Sequence, residues 1–315
     1  MFPDAEELAR HASHAIQRSF AGFSPRIMRR TMIAFLLPVA TLALAPVVSD
    51  VQQTGESRVA LALVSDSRNR SIVDIGADDF VIQEAGQSRE VLSVRVGDYP
   101  VVLLLDNGSD ARDDFAMLRK AAARFIERLG PRPIAIGTLS DPPQMITTFD
   151  DERAKVVEKL EALAVDPSAK SMMLQGAALG ARTIQATGTL FSALVVLSAT
   201  PMDASRGTSD ELIAPVVDSR AVVHVVANRS PQLEGPGGQV RSGQLLRGVA
   251  DQTRGGYTVI YSPASYQAAL DRLADRLTSE MMVEYLVPPG SKPVDVKVGV
   301  RVAGARVRGL GVAPR

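Results

Sequence analysis

The sequence predicts an α/β fold: a Rossmann-like, doubly wound, mostly parallel sheet with a small β-rich unit before it and a β tail after it. Three observations carry this. Residues 101–105 (VVLLL) and 191–197 (FSALVVL) are nearly unbroken apolar runs, as strands are when helices cover both faces of a parallel sheet. Segments with helical spacing alternate with such runs across residues 98–280. After Glu280 the pattern changes to VDVKVGVRV, valine alternating with mostly polar residues or glycine, the mark of a half-buried antiparallel strand.

Taken in order, residues 1–48 form a leader. Arg26, Arg29 and Arg30 precede residues 32–48 (MIAFLLPVATLALAPVV), a charge-free run ending in small residues. This describes a secretory signal, with a membrane anchor as the rival reading because the run is near the length that spans a bilayer. The chain is therefore expected to be exported, periplasmic or secreted, or else anchored in the inner membrane through residues 32–48.

Residues 55–97 form a small β unit: a strand over 58–64 (RVALALV) apolar on both faces, a turn at 66–70, and strands over 78–82 and 91–96. Phe80 is a core anchor there.

The main domain spans residues 98–280. A helix over 111–129 is expected to place Phe115, Leu118, Ala122, Phe125, Ile126 and Leu129 on one face, with Asp110 or Asp113 as its cap. Strands follow over 134–139, 145–149 (a possible antiparallel edge), 191–197, 221–226 and 257–261. Helices are expected over 150–164, 171–186, 245–253 and 264–279, with a short one before residue 221. Asp150 should cap the first of these, and Gly255-Gly256 should stop the helix before the last strand. Residues 230–239 (SPQLEGPGGQ) read as a loop. The C-terminal β tail, 281–315, is expected to pack with the N-terminal β unit.

Composition narrows the chemistry. Lys+Arg and Asp+Glu are 35 each, so net charge is 0, which argues against a nucleic-acid binder with a basic face. There is no Cys, hence no disulfide, thiolate metal site or cysteine nucleophile. There is no Trp, which weakens a case for stacking on sugars or bases. The three histidines are His11, His14 and His224. Only His224 lies beyond the leader, inside an apolar strand where a core histidine is expected, and this leaves little room for a His-based triad or zinc site.

The central order is strand, helix, strand, edge strand, helix, helix, strand, helix, strand, helix, strand, helix, and it resembles a von Willebrand factor type A domain. Four stretches resemble the bacterial exported proteins related to that domain: IGADDFVIQEAGQSREV before it, PVVLLLDNGSD at its first strand and loop, LRGVADQTRGGYTVIYS late in it, and MMVEYLVPPGSKPVDVKVGVRVAGARVRG as a closing β tail.

The resemblance implies a metal-ion-dependent adhesion site at the carboxyl edge of the sheet, with a first loop Asp-x-Ser-x-Ser, a Thr from a later loop and an Asp after the fourth strand. Here the first Asp is Asp106. Gly108 and Asp110 stand at the serine positions, Ser171 near the Thr position, and Ala199-Thr200 where the late Asp is expected, with Asp203 close by. The site is therefore expected to be degenerate. Asp106, Asp110 and Ser171 are the candidate ligands for Mg²⁺ or Ca²⁺, against the reading that no metal binds.

Three functions are weighed. The first is a non-catalytic module binding a protein partner through Asp106, Asn107, Ser109, Asp110 and Ser171. The second is a structural scaffold pairing through its β flanks. The third is a hydrolase, which lacks support because G-x-S-x-G, H-E-x-x-H and a phosphate-binding G-x-x-x-x-G-K-[ST] loop are all absent. The chain is thus read as no enzyme.

Overall fold

The computed structural model describes residues 55–200, 203–229 and 240–314. The expectations for the leader and for the loop over 230–239 lie outside the described residues. Among the described residues no helix is long and apolar enough to cross a membrane.

Residues from both flanks build a β unit. Its four-stranded sheet runs in the order β13 (Arg306–Pro314), β1 (Glu56–Ser65), β11 (Glu280–Val287), β4 (Val91–Val96). A three-stranded sheet runs β12 (Lys297–Val300), β2 (Phe80–Glu84), β3 (Gln87–Arg89). Strand β1 is antiparallel to both β11 and β13. Its two faces serve two cores, which is why RVALALV is apolar throughout. Ala60, Ala62 and Val64 pack with Phe80, Ile82 and Tyr285, while Val59 and Leu61 face the α/β domain beside Met282, Leu310 and Phe191. Phe80 is buried, as a core anchor should be. Asp78 and Asp79 form a 3-10 turn rather than the start of β2.

The central sheet has six strands in the order β10 (Gly256–Ile260), β9 (Val222–Asn228), β8 (Ala193–Ser198), β5 (Val101–Leu105), β6 (Ile134–Thr138), β7 (Gln144–Met145). All neighbours are parallel except the short β7 at the edge. Every residue of β5 is fully buried. Val101, Leu103 and Leu105 meet α1 (Phe115–Arg128), α2 (Arg153–Ala162) and α6 (Ser265–Thr278) on one side. Val102 and Leu104 meet α3 (Met173–Gln185) on the other, where α4 (Ser209–Asp218) and α5 (Val240–Gln252) also lie. The apolar runs that predict central strands are central because both faces are covered.

Four local expectations are corrected. The helix expected over 111–129 starts at Phe115, because Ser109–Ala111 forms a 3-10 turn held by the Ser109 N–H donating to the Ala169 carbonyl at 2.8 Å. Neither Asp110 nor Asp113 caps it. The N-cap is Asp114, which makes no side-chain cap bond and instead accepts the Asn228 amide at 2.6 Å.

Asp150 does not cap α2 either, since Glu152 occupies that position without a side-chain bond. After α5 the left-handed residue is Arg254 (φ 59°), not a glycine. Gly255 is required there for a different reason: a Cβ on it would lie 1.8 Å from the Val223 carbonyl oxygen.

Candidate functional site

The parallel strands end together, so their carboxyl edge gathers the polar residues that follow them. Asp106, directly after β5, is fully buried. One carboxylate oxygen accepts the Gly108 N–H at 3.3 Å and the other the Ala199 N–H at 3.0 Å. Burial pushes its pKa up to about 6, while the Gly108 and Ala199 amides, the Ser171 hydroxyl and the Thr200 amide pull it down. The loops after β5 and β8 are thus tied through one side chain.

The neighbouring candidates divide into two groups. Asn107 and Ser171 lie in the buried floor. The Asn107 side-chain amide donates to the Ala164 carbonyl at 3.1 Å, and its Oδ1 has no partner. Ser171 bridges Ser140, and its carbonyl accepts the Ala204 N–H at 2.7 Å. The Ser171 hydroxyl acts on the Asp106 carboxylate electrostatically but makes no well-aligned hydrogen bond, so Oγ is left unpaired.

Ser109 and Asp110 lie further out. The Ser109 hydroxyl reaches Asp110 at 3.4 Å, and Asp110 pairs with Lys170 at 3.6 Å. Asp203 serves the start of α3: one oxygen accepts the Met173 N–H at 2.8 Å together with the Ser205 N–H and hydroxyl, and the other is buried without a partner.

Gly108 explains how tightly this loop is closed. A Cβ on it would stand 3.1 Å from the Ser171 nitrogen and 3.2 Å from the Ala169 carbonyl oxygen. The later loop lies directly on the position where the resemblance implies a serine ligand.

The donor set does not fit a divalent cation. Such ions take six or more oxygen ligands, waters among them, with one or more carboxylates free to ligate. Both Asp106 oxygens accept amide hydrogens, Gly108 and Ala199 offer no side-chain oxygen, and Asp110 is held by Lys170. Among the described residues no group of three acidic or histidine side chains converges. Ser171 Oγ alone is unpaired among the three candidate ligands.

Three residues at this edge escaped the sequence reading. Lys170 pairs with Asp110 at 3.6 Å across the edge. Asn228, the last residue of β9, holds Asp114; a polar residue closing an apolar strand is the same signal that exposes Asp106. Tyr266 donates from its hydroxyl to the Ser198 carbonyl at 2.7 Å, and nothing in its sequence setting announces this.

The element order, from β5 through α6, reproduces the order read from the sequence, and the central unit is a doubly wound, mostly parallel α/β domain. No protein-family model matches the chain, and the comparison with curated proteins returns no match.

Among solved structures the chain is similar to a von Willebrand factor type A protein from Catenulispora acidiphila, with 11% identity over 84% of this chain and 74% of that one, TM-score 0.48. It is similar to an aerotolerance-related membrane protein from Bacteroides fragilis, with 12% identity over 57% of this chain and 99% of that one, TM-score 0.43. It is also similar to proximal thread matrix protein 1 from the mussel byssus, with 8% identity over 58% of this chain, TM-score 0.47. The match spans 49% of the mussel protein.

Proposed function

We propose that this chain is a non-catalytic protein-interaction module of the bacterial cell envelope, holding a protein partner at the carboxyl edge of its central sheet without a bound metal. The observation that carries the proposal is a concentration of unsatisfied polar atoms. Asn107 Oδ1, Thr138 Oγ1, Ser171 Oγ, Asp203 Oδ2 and Asn228 Oδ1 are all buried side-chain atoms without a partner among the described residues. Thr138 and Asn228 end β6 and β9, and Asn107 follows β5. Buried polar groups are ordinarily paired, and leaving one unpaired costs about 1–3 kcal/mol. These atoms are closed to solvent, but their gathering at the edge that also carries the exposed Asp110 and Lys170 supports a polar surface suited to a polar partner.

A second reading, a scaffold pairing through its β flanks, draws on β4. That strand lies at the outside of its sheet and exposes Leu92 and Val96.

Photo-crosslinking separates the two. A photoreactive residue is placed at Asp110 or Lys170 on the carboxyl edge, at Leu92 on β4, and at Lys120 on the outer face of α1 as control; all four sites are exposed. The proposal expects one shared protein adduct from positions 110 and 170 and none from 120. An adduct from position 92 alone transfers the function to the scaffold reading, and adducts equal at 120 defeat both. Calorimetric titration of Mg²⁺, Ca²⁺ and Mn²⁺ should give no saturable heat. Binding lost in Asp106→Ala would overturn the metal-free part of the proposal.

A further inference from the structure

A second site lies away from the carboxyl edge, between α6 and the outer strands β9 and β10. Residues 224 and 226 of β9 pair in register with 256 and 258 of β10, so their side chains share the face that looks at α6. From α6 come positions 269, 272, 273 and 276, at helical spacing along one stripe. Gly256 contributes no side chain, and the result is a cavity of about 160 Å³. That is well below the roughly 300 Å³ of the smallest drug-sized sites, so it suits a group of a few heavy atoms.

The chemistry of the wall is one-sided. Its lining contains Arg272 and Arg276 and no carboxylate. Arg276 is anchored: it donates to the Gly255 carbonyl at 3.1 Å, to the Arg254 carbonyl at 2.6 Å and to Glu280 at 3.3 Å. Arg272 is exposed and has no partner among the described residues. His224 is 3% exposed, and its Nε2 is a buried polar atom with no partner. Its Nδ1 is the ring nitrogen nearest the gap at Gly256; as a neutral imidazole with its hydrogen on Nδ1 it can donate there, and Thr258 adds a hydroxyl to the lining.

We propose that this cavity binds a small oxyanion, a phosphate or a carboxylate, held by His224 Nδ1–H and Thr258 and charge-paired with Arg272. An anion would give the His224 ring an acceptor and pair with Arg272, the lining arginine not already held by a carboxylate, and charge-assisted hydrogen bonds of this kind are the strong ones. Arg offers the planar fork that matches either oxyanion. The neighbouring glycines mark where space is deliberate in the packing: Gly255 is forced by contact with Val223, whereas a Cβ on Gly256 would sit at ordinary contact distances, 3.7 Å from Arg276 Nη1 and 3.8 Å from His224 Nδ1. An alanine at 256 is therefore accommodated and narrows the cavity.

The test uses the full chain labelled with ¹⁵N-histidine, which carries three histidines. The His224 signal is assigned by its loss in His224→Gln. Titration with sodium phosphate, sodium acetate and sodium chloride at matched ionic strength is followed at that signal. The inference expects a saturable shift with phosphate, acetate or both, and none with chloride; which anion saturates identifies the source. Arg272→Ala, a change at an exposed position, should weaken the apparent affinity about tenfold or more, and Gly256→Ala should abolish the shift while the backbone spectrum persists. A His224 signal that moves with neither oxyanion, or equally with chloride, overturns the inference, as does an Arg272→Ala protein that binds like the parent.

Discussion

Asp106 and His224 sit on the same sheet, each at most 3% exposed, and they are displaced in opposite directions from their ordinary pKa values. Burial disfavours charge in both cases, so it pushes the acid up and the base down. What differs is the company. Asp106 receives backbone amides from Gly108, Ala199 and Thr200, and its pKa stops at about 6. His224 has no partner for Nε2, the Arg276 and Arg308 charges add to the effect of burial, and its pKa falls to about 3. At the carboxyl edge the backbone offsets part of the cost of burying a negative charge. The β9–β10 cavity is built around a neutral ring in a positive field, with its own partner missing.

The largest consequence is an acid-side weakness belonging to His224. Its folded pKa lies below the ordinary 6.5, so the stability it confers is complete above about pH 6.5 and is lost as the pH falls toward 3. The unfolded chain takes up the proton first. Full development of that difference corresponds to about 5 kcal/mol. His224→Gln removes the titrating group. Urea unfolding across this range should show the parent losing stability relative to the variant as pH falls. Parallel curves for the two proteins would mean that His224 gains a partner in solution and that the contrast between the regions is false.

Asp106 carries the opposite sign and a smaller size. Its folded pKa lies above the ordinary 3.8, so its contribution is complete below about pH 4 and is lost as the pH rises through about 6, a change of about 3 kcal/mol. Asp106→Asn should be less stable than the parent at every pH, because an amide NH₂ faces an N–H that the carboxylate accepted. The gap should narrow by about that amount between pH 4 and pH 7. A gap that widens instead would place the carboxylate in a more favourable site, such as one holding a cation.

The α/β plan was legible because two physical signals coincide in the sequence: apolar runs that only a doubly covered sheet explains, and helical spacing between them. Asp106 was legible for the same reason, as a polar residue directly behind a buried strand. The rest of the edge was not. Its key donors are the amides of Gly108 and Ala199, and backbone groups leave no mark on composition or pattern.

Asp110 invites a reading as a cap or ligand, yet a lysine 60 positions away pairs with it. Gly255-Gly256 reads as a helix stop, but Arg254 takes the left-handed conformation, and the first glycine answers instead to contact with Val223. His224 was legible as a core residue. Its cavity was not, because the space arises from a missing side chain on the neighbouring strand and a helix that follows later in the chain.

Helix α6 touches both regions and gives the finest test of their independence. Near its start, Tyr266 is fully buried and donates to the Ser198 carbonyl behind β8. Further along, Arg272 and Arg276 line the cavity. Tyr266→Phe deletes one hydroxyl and leaves the Ser198 carbonyl without that donor, which should cost about 1 kcal/mol in urea unfolding. Because the ring remains, α6 should keep its seat on the sheet, and the His224 response to phosphate or acetate should be unchanged. Weakened anion binding in this variant would show that the carboxyl edge and the cavity are coupled through α6 rather than separate sites on a common scaffold.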